Sequence, residues 1–156
     1  MFRYLMIKWK TVDMNKGSIY LAFVDLKAAF DLVSRPRLWG KLHDMGLPPV
    51  LLNILIRLHA SNYARIRWGA NGETTRKVEV SSGVRQGCAL ALTLFLLFIN
   101  GCVDYLLQSS HDSPSLGGVK TPALLFAGDT LLVSKTMEGL GILLEKFNDY
   151  CVNNGL

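Results

Sequence analysis

Leu124-Leu125-Phe126-Ala127-Gly128-Asp129-Thr130-Leu131-Leu132-Val133 joins two apolar, β-prone runs through a Gly-Asp corner. The pattern predicts a β-hairpin with a carboxylate at its tip. Upstream, Ile19-Tyr20-Leu21-Ala22-Phe23-Val24-Asp25-Leu26 is a second apolar run that holds one acid near its end. An acid in such a run is costly to bury unless it is paired or binds a metal; the plain alternative is a strand-end carboxylate exposed to water. Two strands that each present a carboxylate at one edge can hold divalent cations for phosphoryl transfer. Mg²⁺ prefers hard oxygen ligands, and the cation neutralises charge on the phosphate. Gly128 stands where one more carboxylate would be most useful.

Working outward, 156 residues suffice for one domain with a real core. Half of them are hydrophobic and 19% are charged, with a mean hydropathy of +0.27, which is apolar for a free-standing soluble domain. The chain is therefore a membrane protein or part of a larger body. The longest apolar stretch, Ala89 to Ile99 with Thr93 inside it, falls short of the roughly 20 residues a membrane-spanning helix needs. The expectation is no membrane. The N-terminal residues lack a long apolar core and a small-residue cleavage site, so the expected location is intracellular, in nucleus or cytoplasm, and not secreted. Cys88, Cys102 and Cys151 form no CxxC pair and read as reduced thiols.

Charge is unevenly distributed. Up to Arg85 there are 14 Lys and Arg against 6 Asp and Glu, and beyond it 3 against 6. A basic half suggests a face that meets a polyanion, although an ordinary solvated surface has the same composition. The aromatics do not interleave with the basic residues along the chain as they would on a stacking platform for single strands.

The expected organisation is α+β. Residues 1–12 are read as a short helix, then a turn at Asn15-Lys16-Gly17-Ser18 and a strand over about 19–26. One helix runs from Pro36 towards Met45 with Gly46 as its stop, and another opens at Pro48-Pro49. Asn71-Gly72 predicts a hairpin between 63–68 and 77–80. A long helix is expected over about 90–108, a loop over 114–118, the Gly128-Asp129 hairpin, and a final helix over about 138–153. Asp31 is placed to cap the turn that follows it. In Ser81-Ser82-Gly83-Val84-Arg85-Gln86-Gly87-Cys88, two glycines bracket Arg85 and Gln86 before a helix, and close backbone approach at a helix start suits a phosphate. The spacing matches neither the P-loop nor GxGxxG, so an exposed Arg at a helix entry explains it equally.

Together these segments resemble a known family. Phe23-Val24-Asp25-Leu26-Lys27-Ala28-Ala29-Phe30-Asp31 is similar to the first palm motif of reverse transcriptases, especially those of non-LTR (LINE-type) retrotransposons. Gly83-Val84-Arg85-Gln86-Gly87-Cys88-Ala89-Leu90, continuing through Thr93-Leu94-Phe95, resembles their second motif. Phe126-Ala127-Gly128-Asp129 sits where the family has an aromatic residue, a small residue and two aspartates. The resemblance implies a palm-like antiparallel sheet with helices packed on one face. It would divide the chain into a short segment 1–16 and a palm-like unit 17–156, with fingers and thumb largely missing.

Roles follow from the resemblance residue by residue. Asp25 would bind both catalytic metals, with the Leu26 carbonyl assisting one. Phe30 would lie under the incoming sugar and exclude a 2′-hydroxyl. Gln86 and Gly87 would pack by the incoming nucleotide and template base, with Arg85 near the nucleic-acid path. Asp129 would be an auxiliary metal ligand, and the family's shared aspartate is Gly128 in this chain. Milder departures are Ala89 and Leu92, where the LINE-type pattern has prolines. The implied cofactor is Mg²⁺, more weakly bound here, and the implied partners are an RNA template, a DNA primer and deoxynucleotides; the oligomeric state stays open. The expected function is that of a fragment of an RNA-directed DNA polymerase, template-directed nucleotidyl transfer by two-metal chemistry, with catalysis lost here because Gly128 replaces a metal-binding aspartate and fingers and thumb are absent. The alternative is a non-enzymatic nucleic-acid-binding remnant that uses the basic N-terminal half.

Overall fold

Alternation at residues 22–25 of the second strand decides which way the sheet faces. A computed structural model describes residues 5–14, 17–70, 72–85, 87–110 and 112–156. In it, β1 (Leu5–Met14) and β2 (Gly17–Leu26) form an antiparallel pair. Residues 1–12 are thus not a helix where they are described: 5–14 extend along β2 in a regular ladder. The turn expected at Asn15-Lys16 lies outside the described residues. Ala22 and Val24 of β2 are buried, whereas Phe23 and Asp25 between them are exposed. Side chains in a strand point alternately to opposite faces, so one face of the sheet meets the core and the other carries Phe23 and Asp25.

The core face is covered by helices. The main sheet has the order β1-β2-β10-β9, in which β9 (Ala123–Phe126) and β10 (Asp129–Ser134) are the expected hairpin. Thr130 and Leu132 of β10 lie opposite Val24 and Ala22 and are buried with them. Against this layer pack α4 (Ala91–Ile99), α5 (Gly101–Leu107) and α6 (Met137–Asn154). In α6 the residues Leu140, Leu143, Leu144, Phe147, Tyr150 and Cys151 recur at helical spacing and are all buried. Thr136 Oγ1 accepts from the Gly139 N–H at one end, and left-handed Gly155 (φ 79°) stops the other. The fold is an α+β palm-like sheet with its helices on one face.

The single long helix expected over 90–108 is two. The break falls at Asn100, where Lys41 intrudes: its ammonium donates to the Phe98 carbonyl at 2.6 Å and to Tyr150 Oη at 3.1 Å. Asn100 keeps right-handed helical dihedrals, and Asn100-Gly101 has little helix propensity to carry the ladder through. Lys41 also lies 4.7 Å from the Phe98 ring centroid, a cation–π contact that offsets part of its desolvation. The expected loop at 114–118 is a small hairpin, β7 (Ser115–Leu116) and β8 (Val119–Lys120), turned by left-handed Gly117 and Gly118.

Between β2 and α4 the chain forms α1 (Ala29–Leu32), α2 (Arg35–Asp44) and α3 (Pro49–Ala60), then two nested strand pairs. β3 (Tyr63–Ala64) pairs with β6 (Val78–Glu79), and β4 (Arg67–Trp68) pairs with β5 (Glu73–Thr74). This is the hairpin expected around Gly72; Asn71 lies outside the described residues. Asp31 lies within α1, and the N-cap residues Ala28 and Ser34 make no side-chain cap bond of their own.

Gly83 fixes how the next segment meets α1. Its N–H donates to the Val33 carbonyl and the Val84 N–H to the Phe30 carbonyl. A Cβ on Gly83 would stand 2.8 Å from Asp31 Cα and from the Phe30 carbonyl oxygen, and its φ is +79°. The close approach this glycine permits is to protein backbone, not to a phosphate. Gly83→Ala is expected to destabilise the chain by about 3 kcal/mol, combining left-handed strain with overpacking. Gly141→Ala, in α6 with nothing within 4 Å of a Cβ, should be neutral or stabilise by up to about 1 kcal/mol. Urea unfolding of both variants checks the contrast.

All three cysteines are free thiols, Cys102 and Cys151 buried and Cys88 half-buried. Burial pushes the Cys102 and Cys151 thiols up to about 12. A thiol-specific reagent at pH 8 should therefore label Cys88 alone in the folded chain and all three after unfolding. The unfolded thiols ionise first, so stability should fall as pH rises from about 9 towards 12, which alkaline unfolding curves would show.

Candidate functional site

The site is built by the pairing of β2 with β10. Asp129 lies directly opposite Asp25 in this antiparallel register. One step along, the Leu26 N–H donates to the Gly128 carbonyl at 2.9 Å. Leu26–Gly128 is therefore a hydrogen-bonded pair, and Asp25–Asp129 falls on the alternate class, in which facing Cα atoms approach to about 4.5 Å. Both carboxylates are exposed at the same edge of the open face.

The corner differs in detail from the expected one. Asp129 pairs with Phe126, so it belongs to the strand, and the turn is Ala127-Gly128. The left-handed residue is Ala127 (φ 52°), not Gly128. Glycine is thus not demanded at 128 by its backbone. A Cβ built there would lie 3.4 Å from the Leu26 carbonyl oxygen, 3.5 Å from Ala29 Cβ and 3.9 Å from Asp25 Oδ1. A side chain at this position would start beside Asp25.

Two clefts flank the pair of acids. One, of about 560 Å³, is lined by Asp25, Leu26, Phe30, Gly87, Gly128 and Asp129, with Cys88 and Leu92 on its far wall. The other, of about 590 Å³, lies over the open sheet face between Phe23, Phe126 and Leu131 and shares Asp25 and Asp129. Phe30 is half-buried, its ring 5.0 Å from that of Phe95, and it still reaches the first cleft. Gly87 (φ 78°) lines the same wall, and the Cys88 N–H beside it donates to the Arg85 carbonyl. Arg85 lines neither of these clefts; it is exposed on a third one behind Gly83. Gln86 lies outside the described residues.

Arg35 is a structural residue that the motifs do not contain. It is buried, and its guanidinium donates to the carbonyls of Gly83 (2.9 Å), His59 (2.9 Å) and Ser82 (3.0 Å). Desolvation lowers its pKa from the ordinary arginine value, but a guanidinium stays charged in proteins. One side chain thus holds the end of α3 and the 82–83 segment together behind the cleft wall. The signal for it was in the sequence: Arg35, Leu38 and Leu42 share a helix face, and all three are buried.

The donor set can be weighed against a metal. Two carboxylates and the Leu26 carbonyl suit one hard cation, with water completing its shell. They do not suit a closely bridged pair, which needs shared carboxylates between the cations. Among the described residues no group of three His, Cys, Asp or Glu side chains converges. No helix among them is long and apolar enough to cross a membrane.

Comparison with known proteins places this arrangement. The family described as reverse transcriptase (RNA-dependent DNA polymerase) matches residues 2–156. A Retrovirus-related Pol polyprotein from type-1 retrotransposable element R2 of Popillia japonica is 34% identical over 114 residues, covering 70% of this chain and 15% of that protein. The corresponding protein of Nasonia vitripennis is 28% identical over 149 residues, covering 94% of this chain and 14% of its own length. A Retrovirus-related Pol polyprotein from type-2 retrotransposable element R2DM of Drosophila melanogaster is 28% identical over 141 residues, covering 89% and 13%. The chain thus spans about one-seventh of the length of these relatives. It belongs to the reverse transcriptase family, in the branch carried by non-LTR retrotransposons.

Proposed function

We propose that this chain keeps the frame of a nucleotidyl-transfer site but lacks the charge to run it. The observation that carries this reading is the register of Asp25 against Asp129, with Gly128 in the corner where a third carboxylate would start 3.9 Å from Asp25 Oδ1. Asp25, Asp129 and the Leu26 carbonyl would hold a divalent cation, which supplies neutralisation of phosphate charge when bound. Phe30 would bear on the sugar of a deoxynucleotide seated in the 560 Å³ cleft, with Gly87 and Gln86 beside its base. Arg85 would meet nucleic acid farther along, and an RNA template and DNA primer are the strands this family pairs with that chemistry.

Gly128 has a chemical consequence and little structural one. Its backbone lies outside the left-handed region, so an aspartate fits the turn, with its Cβ at ordinary contact distances. What is missing is charge: one fewer carboxylate leaves cations less well screened from each other. Removing one electrostatic group from an active site typically costs ~10²–10³ in rate, and a shared ligand should cost at least as much. Water can fill a coordination position but carries no charge.

Primer extension tests the reading. The purified chain should extend no primer on an RNA template with Mg²⁺ or Mn²⁺. Residues 17–156 grafted into an intact non-LTR reverse transcriptase should be inactive with Gly128, and Gly128→Asp in the same graft should raise extension at least 100-fold. Equal extension by the two grafts would show that the corner is not the defect.

A further inference from the structure

We propose that the open face of α3 pairs two copies of this chain, antiparallel about a two-fold axis at Ile54. Nothing in this pairing depends on the chemistry of the Asp25 cleft.

Seven of the 12 residues of α3 are Val, Leu or Ile, more than a single core-facing stripe uses. A helix that is apolar nearly all round is normally covered on more than one side. One face of α3 is covered: Leu52 and Leu55 pack against the core, and His59 is buried with its ring 5.4 Å from that of Trp39. Another face is open. Val50 is 71% exposed, Leu51 and Ile54 are each 49% exposed, and Leu58 is 60% exposed. Leu51, Ile54 and Leu58 recur at intervals of three and four residues, the seam along which helices interlock side chains. Antiparallel pairing sets Ile54 against its own copy and Leu51 against Leu58, the self-complementary contact that a two-fold axis requires.

Charge selects the direction. Arg57 is exposed in the last turn of α3. Asp44 is exposed at the other end, where it closes α2, and a tight turn, with the Leu47 N–H donating to the Leu42 carbonyl, leads from it into α3. Within the chain Asp44 has beside it the equally open His43, at 3.4 Å. Antiparallel copies bring each Arg57 towards the other copy's Asp44, whereas parallel copies would set arginine against arginine. With its polar flanks, each face would bury on the order of 500 Å², so the pair totals about 1,000 Å², the threshold of a specific interface. The structure thus describes a weak dimer that forms with concentration.

Sedimentation velocity of the full 156-residue chain over about 1–200 μM tests the pairing. The mass should rise from one copy towards two and stop there, because a two-fold interface closes on itself. Ile54→Glu, which would set two carboxylates together at the axis, should weaken association at least tenfold. Arg57→Glu and Asp44→Arg should each weaken it about fivefold, and an equimolar mixture of these two variants should regain wild-type association, since every contact again joins unlike charges. All three positions are exposed, so far-UV circular dichroism should be unchanged in each variant. Association indifferent to Ile54→Glu, growth beyond two copies, or a mixture no tighter than its components would overturn the proposal. A chain that stays monomeric to 200 μM would overturn it too and leave the face to a different protein. None of these results would touch the proposed function, whose test is the pair of grafts differing at Gly128.

Discussion

The candidate site hangs on one ladder, the antiparallel pairing of β10 with β2. Because side-chain direction alternates with every residue, the register sends Asp25 and Asp129 to the same face, and a slip by one would bury one of them under the helices. The register is held from the other side of the sheet. Ala22, Val24, Thr130 and Leu132 are buried against α4, α5 and α6, so a slip would expose apolar surface at about 25 cal/mol per Å². The hydrophobic core thus aligns two charged groups it never touches.

A second constraint places the wall of the site. Gly83 comes so close to Phe30 and Asp31 that no other residue fits, and Arg35 ties the same segment to the end of α3 through three carbonyls. Phe30 and Gly87 come to line one cleft because these backbone contacts join their segments. The back of the candidate site is therefore fixed by backbone contacts. At position 128 the backbone does not itself require glycine, since its φ lies outside the left-handed region.

Much of this was legible in the sequence. The apolar run at 19–26 and the hairpin at 124–133 pointed to the sheet, Pro36 and Gly46 bracketed α2, helical spacing after Pro48-Pro49 marked α3, and the three short motifs pointed to the family. What escaped was decided by tertiary contacts. Residues 1–12 read as a short helix because local propensity is weak, and the partner that makes 5–14 a strand is the β2 ladder itself. The long helix over 90–108 is interrupted at Asn100, next to the Phe98 carbonyl to which Lys41, about sixty positions away, donates. Arg35 sat on a visible helix face, but nothing local shows that its partners are the carbonyls of Ser82, Gly83 and His59. Tyr63 and Lys77 become neighbours only when the hairpin closes.

The most direct measurement is a Mn²⁺ titration followed by electron paramagnetic resonance on the chain and on its Gly128→Asp, Asp25→Asn and Asp129→Asn variants. A centre made by Asp25 facing Asp129 predicts one weakly bound Mn²⁺ in the native chain, lost in either Asn variant. Gly128→Asp should bind it at least tenfold more tightly, since an added carboxylate contributes charge as well as an oxygen ligand. Binding that survives Asp25→Asn, or that is indifferent to Gly128→Asp, would contradict the account.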